Sequence, residues 1–421
     1  MYKMFRREIR YIIIILFVFS NVLSINALRH KSIFAPDDTL SVSLLTVSKG
    51  ENIYEKFGHT GIRISVPSKK FDAVYHYGLF SFDEPNFIYR FIKGETNYMI
   101  GAMSYYDFML MYAIRGSSVR ELQLNLTNRE ANSLFNALCE NLRPENQTYR
   151  YSFLYDNCAT RPLEIIFRNI EGELVINTKE ETETLPTYRG LIHESTGEDS
   201  WTTFGIDMLL DGETDSHIEI PDKPFLPRIT ERIFAGVKIK GENSDTLRAL
   251  AVAPPIEILK AREMEAGSDN FKIFTPLFTT TLLLIVVIVI SLFEIKKVKH
   301  NRILETIVAI LLGMLGVVIY FLLFFSDHPA VSANYNAFWL QPIWLLILPL
   351  IWTQKGKKFL YCYHFINFVL LMMFATIMFF IKQNINVSFI PLIIISFVRS
   401  ITYIIVEVIK KRQNKIEGQD E

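Results

Sequence analysis

A thiol stands in a tight polar turn at Tyr155-Asp156-Asn157-Cys158-Ala159-Thr160-Arg161, just ahead of a run with helical periodicity. Unpaired N–H groups and the helix dipole at such a position favour a thiolate, which makes Cys158 a candidate nucleophile. Cysteine acyl chemistry also needs a base that can return the proton, a polar group to orient that base, and donors for an oxyanion. Upstream, Phe57-Gly58-His59-Thr60-Gly61 supplies an imidazole and Val74-Tyr75-His76-Tyr77-Gly78 a second one. We assign Cys158 as nucleophile, His59 as base and then acid, and His76 or Asp156 as the group that orients His59. The N–H of Cys158, with a second donor from Asn157 or Arg161, is the expected oxyanion site.

The elements that must position these groups are readable around them. Leu40–Val47 has strand composition, and Gly61–Val66 alternates with period two, so His59 falls at a strand's mouth. Phe71–Phe80 follows the turn at Pro67-Ser68-Lys69-Lys70 and pairs back on it, carrying His76 to the neighbouring strand. Asn86–Lys93 has the composition of a short helix. Thr127-Asn128-Arg129-Glu130 is a capping box, and Ala131, Leu134, Phe135, Leu138 and Leu142 recur behind it at helical spacing. Behind Cys158, Leu163, Ile166, Phe167 and Ile170 mark a helical face, although Pro162 moves its start toward Thr160. Phe225-Leu226-Pro227 reads as an apolar stretch able to lie against a membrane.

The 421 residues include 33 Phe and are 50% hydrophobic, too apolar for a wholly soluble chain. The 44 basic and 44 acidic residues balance, so no field of one sign argues for nucleic acid. Residues 1–27 combine a basic start (Lys3, Arg6, Arg7, Arg10), an apolar run and a small residue at Ala27, the layout of a secretory signal or an uncleaved anchor. Residues 28–270 follow as an exported domain. Five apolar runs then occupy 275–293, 303–325, 338–352, 359–381 and 387–408, and most reach the roughly 20 residues that cross a bilayer. The third is short and holds Pro342 and Pro349. Lys296, Lys297, Lys299 and Arg302, then Lys355, Lys357 and Lys358, then Lys410, Lys411, Arg412 and Lys415 follow alternate runs, which assigns those loops and the C-terminus to the cytoplasm. Cys139 and Cys362 sit in a helix and a span as small apolar fillers; three cysteines make no disulfide framework. No metal-ligand spacing occurs, since His193 and His217 lack partners and the acidic run at 180–183 has no calcium-loop pattern.

Strand-borne histidine, a polar residue on the next strand and a later Asn-Cys at a helix start resemble the circularly permuted papain-like acyltransferases, of which lecithin:retinol acyltransferase is an example. Phe57–Arg63, Val74–Phe80 and Tyr155–Arg161 resemble more closely the Lnb-type lipoprotein N-acyltransferases of Gram-negative bacteria, in which the His76 position is often Asn. The resemblance implies an α+β, permuted papain-like periplasmic domain followed by a bundle of about five transmembrane helices (271–421) in the inner membrane. It implies transfer of an acyl chain from a phospholipid, through a thioester on Cys158, to the α-amine of a diacylglyceryl-cysteine lipoprotein, with no cofactor. It also brings in the loop from Ser326 to Ala337, where His328, Asn334 and Asn336 are expected to hold a headgroup or the lipoprotein backbone. Arg63 and Arg189 are lesser candidates for phosphate contact. Rival readings are a cysteine phospholipase or thioesterase, a cell-wall endopeptidase, and a non-enzymatic assembly domain tethered by its spans.

Overall fold

The computed structural model describes residues 34, 38–80, 85–176, 187–218, 225–241, 246–262, 274–353 and 356–417. The expected signal or anchor over 1–27 and the acidic run at 180–183 lie outside them. The chain divides into two compact units, one of residues 1–185 with 218–265 and one of 186–217 with 266–421. Residues 186–217 thus belong with the spans, whereas the sequence reading put them in the exported domain.

The first unit is built on a seven-stranded antiparallel sheet. In chain order it comprises β1 (Ser41–Val47), β2 (His59–Val66), β3 (Phe71–Leu79), α1 (Phe87–Lys93), β4 (Asn97–Ser104), α2 (Tyr105–Arg115), β5 (Val119–Gln123), α3 (Asn128–Asn141), β6 (Thr148–Arg150), α4 (Thr160–Phe167) and β7 (Glu173–Val175). The chain then leaves for α5 (Tyr188–Thr196) and α6 (Trp201–Leu209), and returns with α7 (Pro227–Gly236), β8 (Lys238–Lys240), β9 (Leu247–Ala249) and β10 (Ile256–Leu259). The sheet order is β10-β5-β1-β2-β3-β4-β6, and β7-β8-β9 form a separate small sheet. Side-chain alternation divides β3 between two cores. Tyr75 meets Phe135 of α3 on one face, while Val74 joins Leu45, Val47, Phe108 and Tyr112 under α2 on the other. The capping box forms as read: Thr127 accepts from the Glu130 N–H and Glu130 from the Thr127 N–H. Phe225, Leu226 and Pro227 do not lie on a surface as expected; all three are buried, with Phe225 against Phe57 and Phe153.

The second unit adds α8 (Pro276–Lys297), α9 (Arg302–Phe325), α10 (Ile343–Leu346), α11 (Leu348–Ile351), α12 (Lys357–Ile377) and α13 (Ile390–Glu417). Among the described residues, four helices are long and apolar enough to cross a membrane. The third apolar run is broken at Pro342 and Pro349 into α10 and α11, yet it traverses the bundle. At one end Asn336 donates to the Met208 carbonyl, and at the other Trp352 donates to Thr306 in the first turn of α9. Gly313 and Gly316 make this possible, because a Cβ at either would lie 2.7 Å or 2.6 Å from the broken segment. Buried Arg399 on α13 joins Glu294 of α8 and Glu305 of α9, with pairs of 2.7 and 2.5 Å.

Helices α5 and α6 cap the end of the bundle from which the 326–342 and 382–386 loops emerge. Arg189, 2% exposed, is their hub: it pairs with Asp207 at 2.8 Å and Asp215 at 2.9 Å and donates to the Asp211 carbonyl and Thr214. Asp207 also accepts from Asn386 and pairs with His193. Arg189 is therefore a structural clamp and not a phosphate contact. Replacing Arg189 with Met leaves buried Asp207 and half-buried Asp215 without their cation, which costs about 3–5 kcal/mol. Thermal unfolding of the full chain in detergent checks this, and an unchanged midpoint would refute the assignment.

Candidate active site

His59 is the first residue of β2, where Gly58 turns the chain at φ +77°; a Cβ at Gly58 would meet the Val47 carbonyl at 2.5 Å. Register then sets the pair. Gly61 lies opposite His76 across the β2–β3 ladder, so His59, two residues before Gly61, shares its face with His76. The two rings meet edge to face, with His59 Nε2 and His76 Nδ1 3.0 Å apart. His59 Nδ1 is the nitrogen left for a substrate or nucleophile.

Cys158 approaches the same place from the turn before α4. Gly78 sits at φ +90°, and a Cβ there would press on the Cys158 Cβ at 3.2 Å, so the glycine makes room for the thiol. The residue is half-buried, and the backbone N–H groups of Thr60 and of Cys158 itself point to its sulfur. Tyr98, Tyr112, Tyr149 and Tyr151 stand within electrostatic range. These tyrosines escaped the sequence reading, because isolated aromatics on separate strands and helices look like core. The Cys158 N–H was foreseen as a donor to the reacting centre, whereas the Thr60 N–H was not.

The other residues of the cysteine motif build the turn and do not face the reaction. Asn157 accepts the N–H groups of Ala159 and Thr160 at 2.7 and 3.1 Å and donates to the carbonyls of Phe153 and Phe225. Its amide is committed at both ends and is no oxyanion donor. Asp156 and Arg161 form a two-point ion pair at 2.6 and 2.7 Å, with the guanidinium over the Tyr149 ring. That pair removes Arg161 from the expected oxyanion role and Asp156 from orienting His59; of the two expected orienting groups, His76 is the one that touches His59. Helix α4 begins at Thr160, as Pro162 required.

The remaining expected binding residues are also occupied or distant. Arg63 pairs with Asp72 at 2.6 Å and Glu121 at 3.0 Å and stacks on Tyr105. It lines an open groove of about 330 Å³ with Ser41, Ser43 and Gln123, four residues along β2 from His59, or about 13 Å. In the second unit Asn334 donates to the Met208 and Leu209 carbonyls and accepts from Asn336 and Gln383. Asn336 donates to Met208 and accepts from Trp339. Both amides are buried and hold the cap. His328 is half-buried in the same loop.

The electrostatics reverse one expectation. Burial pushes the Cys158 thiol up to about 12, and the two N–H groups at the sulfur oppose that only in part. The helix therefore does not give a resting thiolate. Burial also holds His59 well below its usual 6.5, helped by His76 and Arg115, and lowers His76 to about 4. The resting site is a neutral thiol beside two neutral imidazoles.

Residues 31–194 match the family model for the Lnb N-terminal periplasmic domain, and residues 268–412 match the Lnb transmembrane domain. No curated protein and no solved structure matches the chain.

A histidine held neutral by burial contributes stability that is complete above its unfolded value and lost as the unfolded chain takes up the proton first. For His76 the window runs from pH 6.5 down to about 4. A His76→Asn variant should lose less unfolding free energy than wild type between pH 7 and pH 4, by about 3 kcal/mol. Denaturant titrations of the full chain at the two pH values measure this; equal losses would contradict the buried neutral His76.

Proposed function

We propose that this chain, which belongs to the Lnb family in both of its domains, is a lipoprotein N-acyltransferase working at the periplasmic face of the inner membrane. The observation that carries the reading is the 3.0 Å contact of His59 with His76 beside a thiol that has backbone donors at its sulfur. In the productive tautomer His59 Nε2 donates to His76 Nδ1, which leaves the Nδ1 lone pair of His59 as the base. His76 is the positioning residue that fixes this tautomer.

In the first half-reaction Cys158 Sγ attacks the carbonyl carbon of a phospholipid acyl ester as His59 takes the thiol proton. The Thr60 and Cys158 N–H groups receive the oxyanion. Collapse breaks the ester C–O bond, His59 gives its proton to the departing oxygen, and a lysophospholipid leaves a thioester on Cys158. In the second half the α-amine of a diacylglyceryl-cysteine attacks the thioester carbonyl. Its proton passes through His59 to the sulfur, and an amide and the free thiol result. A bilayer supplies both substrates, which suits a catalytic domain on a membrane-crossing chain.

The basic residues at 296–302, 355–358 and 410–415 assign their end of the bundle to the cytoplasm. The loops at 326–342 and 382–386, with the cap formed by α5 and α6, then face the periplasm.

Mass spectrometry of lipoprotein N-termini tests the reaction. Cells relying on Cys158→Ser should accumulate diacylated lipoproteins with free α-amines, and N-acylation equal to wild type would end the transferase reading. Release of free fatty acid without N-acylation would favour a hydrolase. The acid limb of thioester formation should lie below pH 6.5, because the base is held neutral there. Stopped-time assays across pH 4–8 measure it, and a midpoint at or above 6.5 would remove His59 as the base.

A further inference from the structure

Helix α1 breaks the pattern of the rest of the first unit. Its sequence, Phe-Ile-Tyr-Arg-Phe-Ile-Lys, is apolar apart from Arg90 and Lys93, yet it buries none of its residues. Ile88 is 73% exposed, and Tyr89, Phe91 and Ile92 are exposed with it. Ile53 and Tyr54, in the 3₁₀ turn Ile53–Glu55 just before β2, are exposed as well. A domain of this size rarely leaves so many large apolar side chains in water unless something covers them.

The surface is connected to the thiol. Phe80 meets Tyr54 at 6.3 Å, stacks on Phe87 at 5.8 Å and touches Tyr98 at 5.0 Å. Tyr98 stacks on Tyr151 at 4.0 Å, and both stand within electrostatic range of Cys158. Ring contacts thus run from Phe87 of α1 through Phe80 and Tyr98 to Tyr151, near the thiol. Arg90 and Lys93 stand among the apolar residues of α1, with Lys93 held at 2.5 Å by Glu95, so the element carries cations where an anionic headgroup would lie.

We infer that α1, with Ile53 and Tyr54, inserts into the outer leaflet of the bilayer and that the aromatic track from Phe87 to Tyr151 guides a phospholipid acyl chain to Cys158. This rests on the acyl-transfer reading only for what travels along the track; insertion stands apart from it. The occupant is lipid because the exposed set is aliphatic and aromatic with interspersed cations, it leads to a thiol, and the same chain carries membrane-crossing helices.

The test uses the full chain with Cys158 and Cys362 replaced by Ala, which leaves only buried Cys139. An environment-sensitive fluorophore is placed on Ile88→Cys and, as control, on Arg129→Cys, whose side chain is 82% exposed in the first turn of α3. Both are reconstituted in phosphatidylethanolamine–phosphatidylglycerol vesicles with or without acyl-chain spin-labelled lipid. Quenching at Ile88 should be about twofold or more, with none at Arg129. Equal, weak quenching at the two positions overturns insertion, as does an Ile88 probe shielded only when a lipoprotein peptide is added. In the chain with its native cysteines, Ile88→Asp/Phe91→Asp should slow thioester formation from vesicle phospholipid about tenfold or more; an unchanged rate overturns the guiding role. If wild type forms no thioester while Ile88 is still quenched, the acyl-transfer reading fails and insertion stands.

Discussion

The site depends on one close approach, that of the Cys158 backbone onto β3 at Gly78. A methyl group at Gly78 would stand 3.2 Å from the Cys158 Cβ in a backbone region that side chains avoid. Everything around the turn serves to hold that approach. Asn157 ties the turn to Phe153, Phe225 and the start of α4, and the Asp156–Arg161 pair closes it over the Tyr149 ring. The Gly61–His76 register then brings both imidazoles to the same face. Loss of any one of these contacts would leave the reactive groups present but out of reach of one another, which is the usual way such constellations fail.

Burial sets the chemistry of the assembled group. A thiolate–imidazolium pair would be two charges in a site lined by tyrosines, and desolvation disfavours both. The two N–H groups at the sulfur offer some compensation, but the thiol still lies at about 12. An acyl transfer at this site would require attack concerted with proton transfer to His59. A thiol held neutral in this way is shielded from adventitious oxidation, which tracks thiolate character. His76, held neutral by burial, meets His59 without adding a charge that would itself need solvation.

The sequence showed these roles unevenly. The pairing of His59 with His76 was legible because the two hairpin strands fix relative position by period alone. Asn157, Asp156 and Arg161 were legible as a motif but not by role, since a polar side chain beside a nucleophile can face the substrate or the backbone, and only the fold decides. The same ambiguity covers Asn334 and Asn336, whose amides bind the Met208 carbonyl. Phe225, expected against a membrane, and α1 have opposite outcomes: both are apolar and aromatic, but Phe225 packs inward against Phe57 and Phe153, whereas residues of α1 face out. Hydropathy along the chain cannot separate these cases. The four long spans were plain from length, and the broken third crossing was marked by its two prolines.

Ionisable groups within membrane-crossing helices invite a functional reading, but those of this bundle are explained by its assembly. Arg399 is fully buried and engages Glu294, Glu305 and Ser291, which draws α8, α9 and α13 to one point. His364 of α12 lies 3.2 Å from Glu305, so the fourth long helix reaches the same point. Lipid tails are as apolar as leucine side chains and give helices little reason to associate. A shared buried ion cluster supplies one, since separating the helices would expose its charges to hydrocarbon. Arg189 does the same for the cap at the other end, where Asp207 and Asp215 meet it. With α10 and α11 too short and too broken to hold themselves, the third crossing depends on the glycine seats of α9 and on these two clusters to keep its neighbours in place.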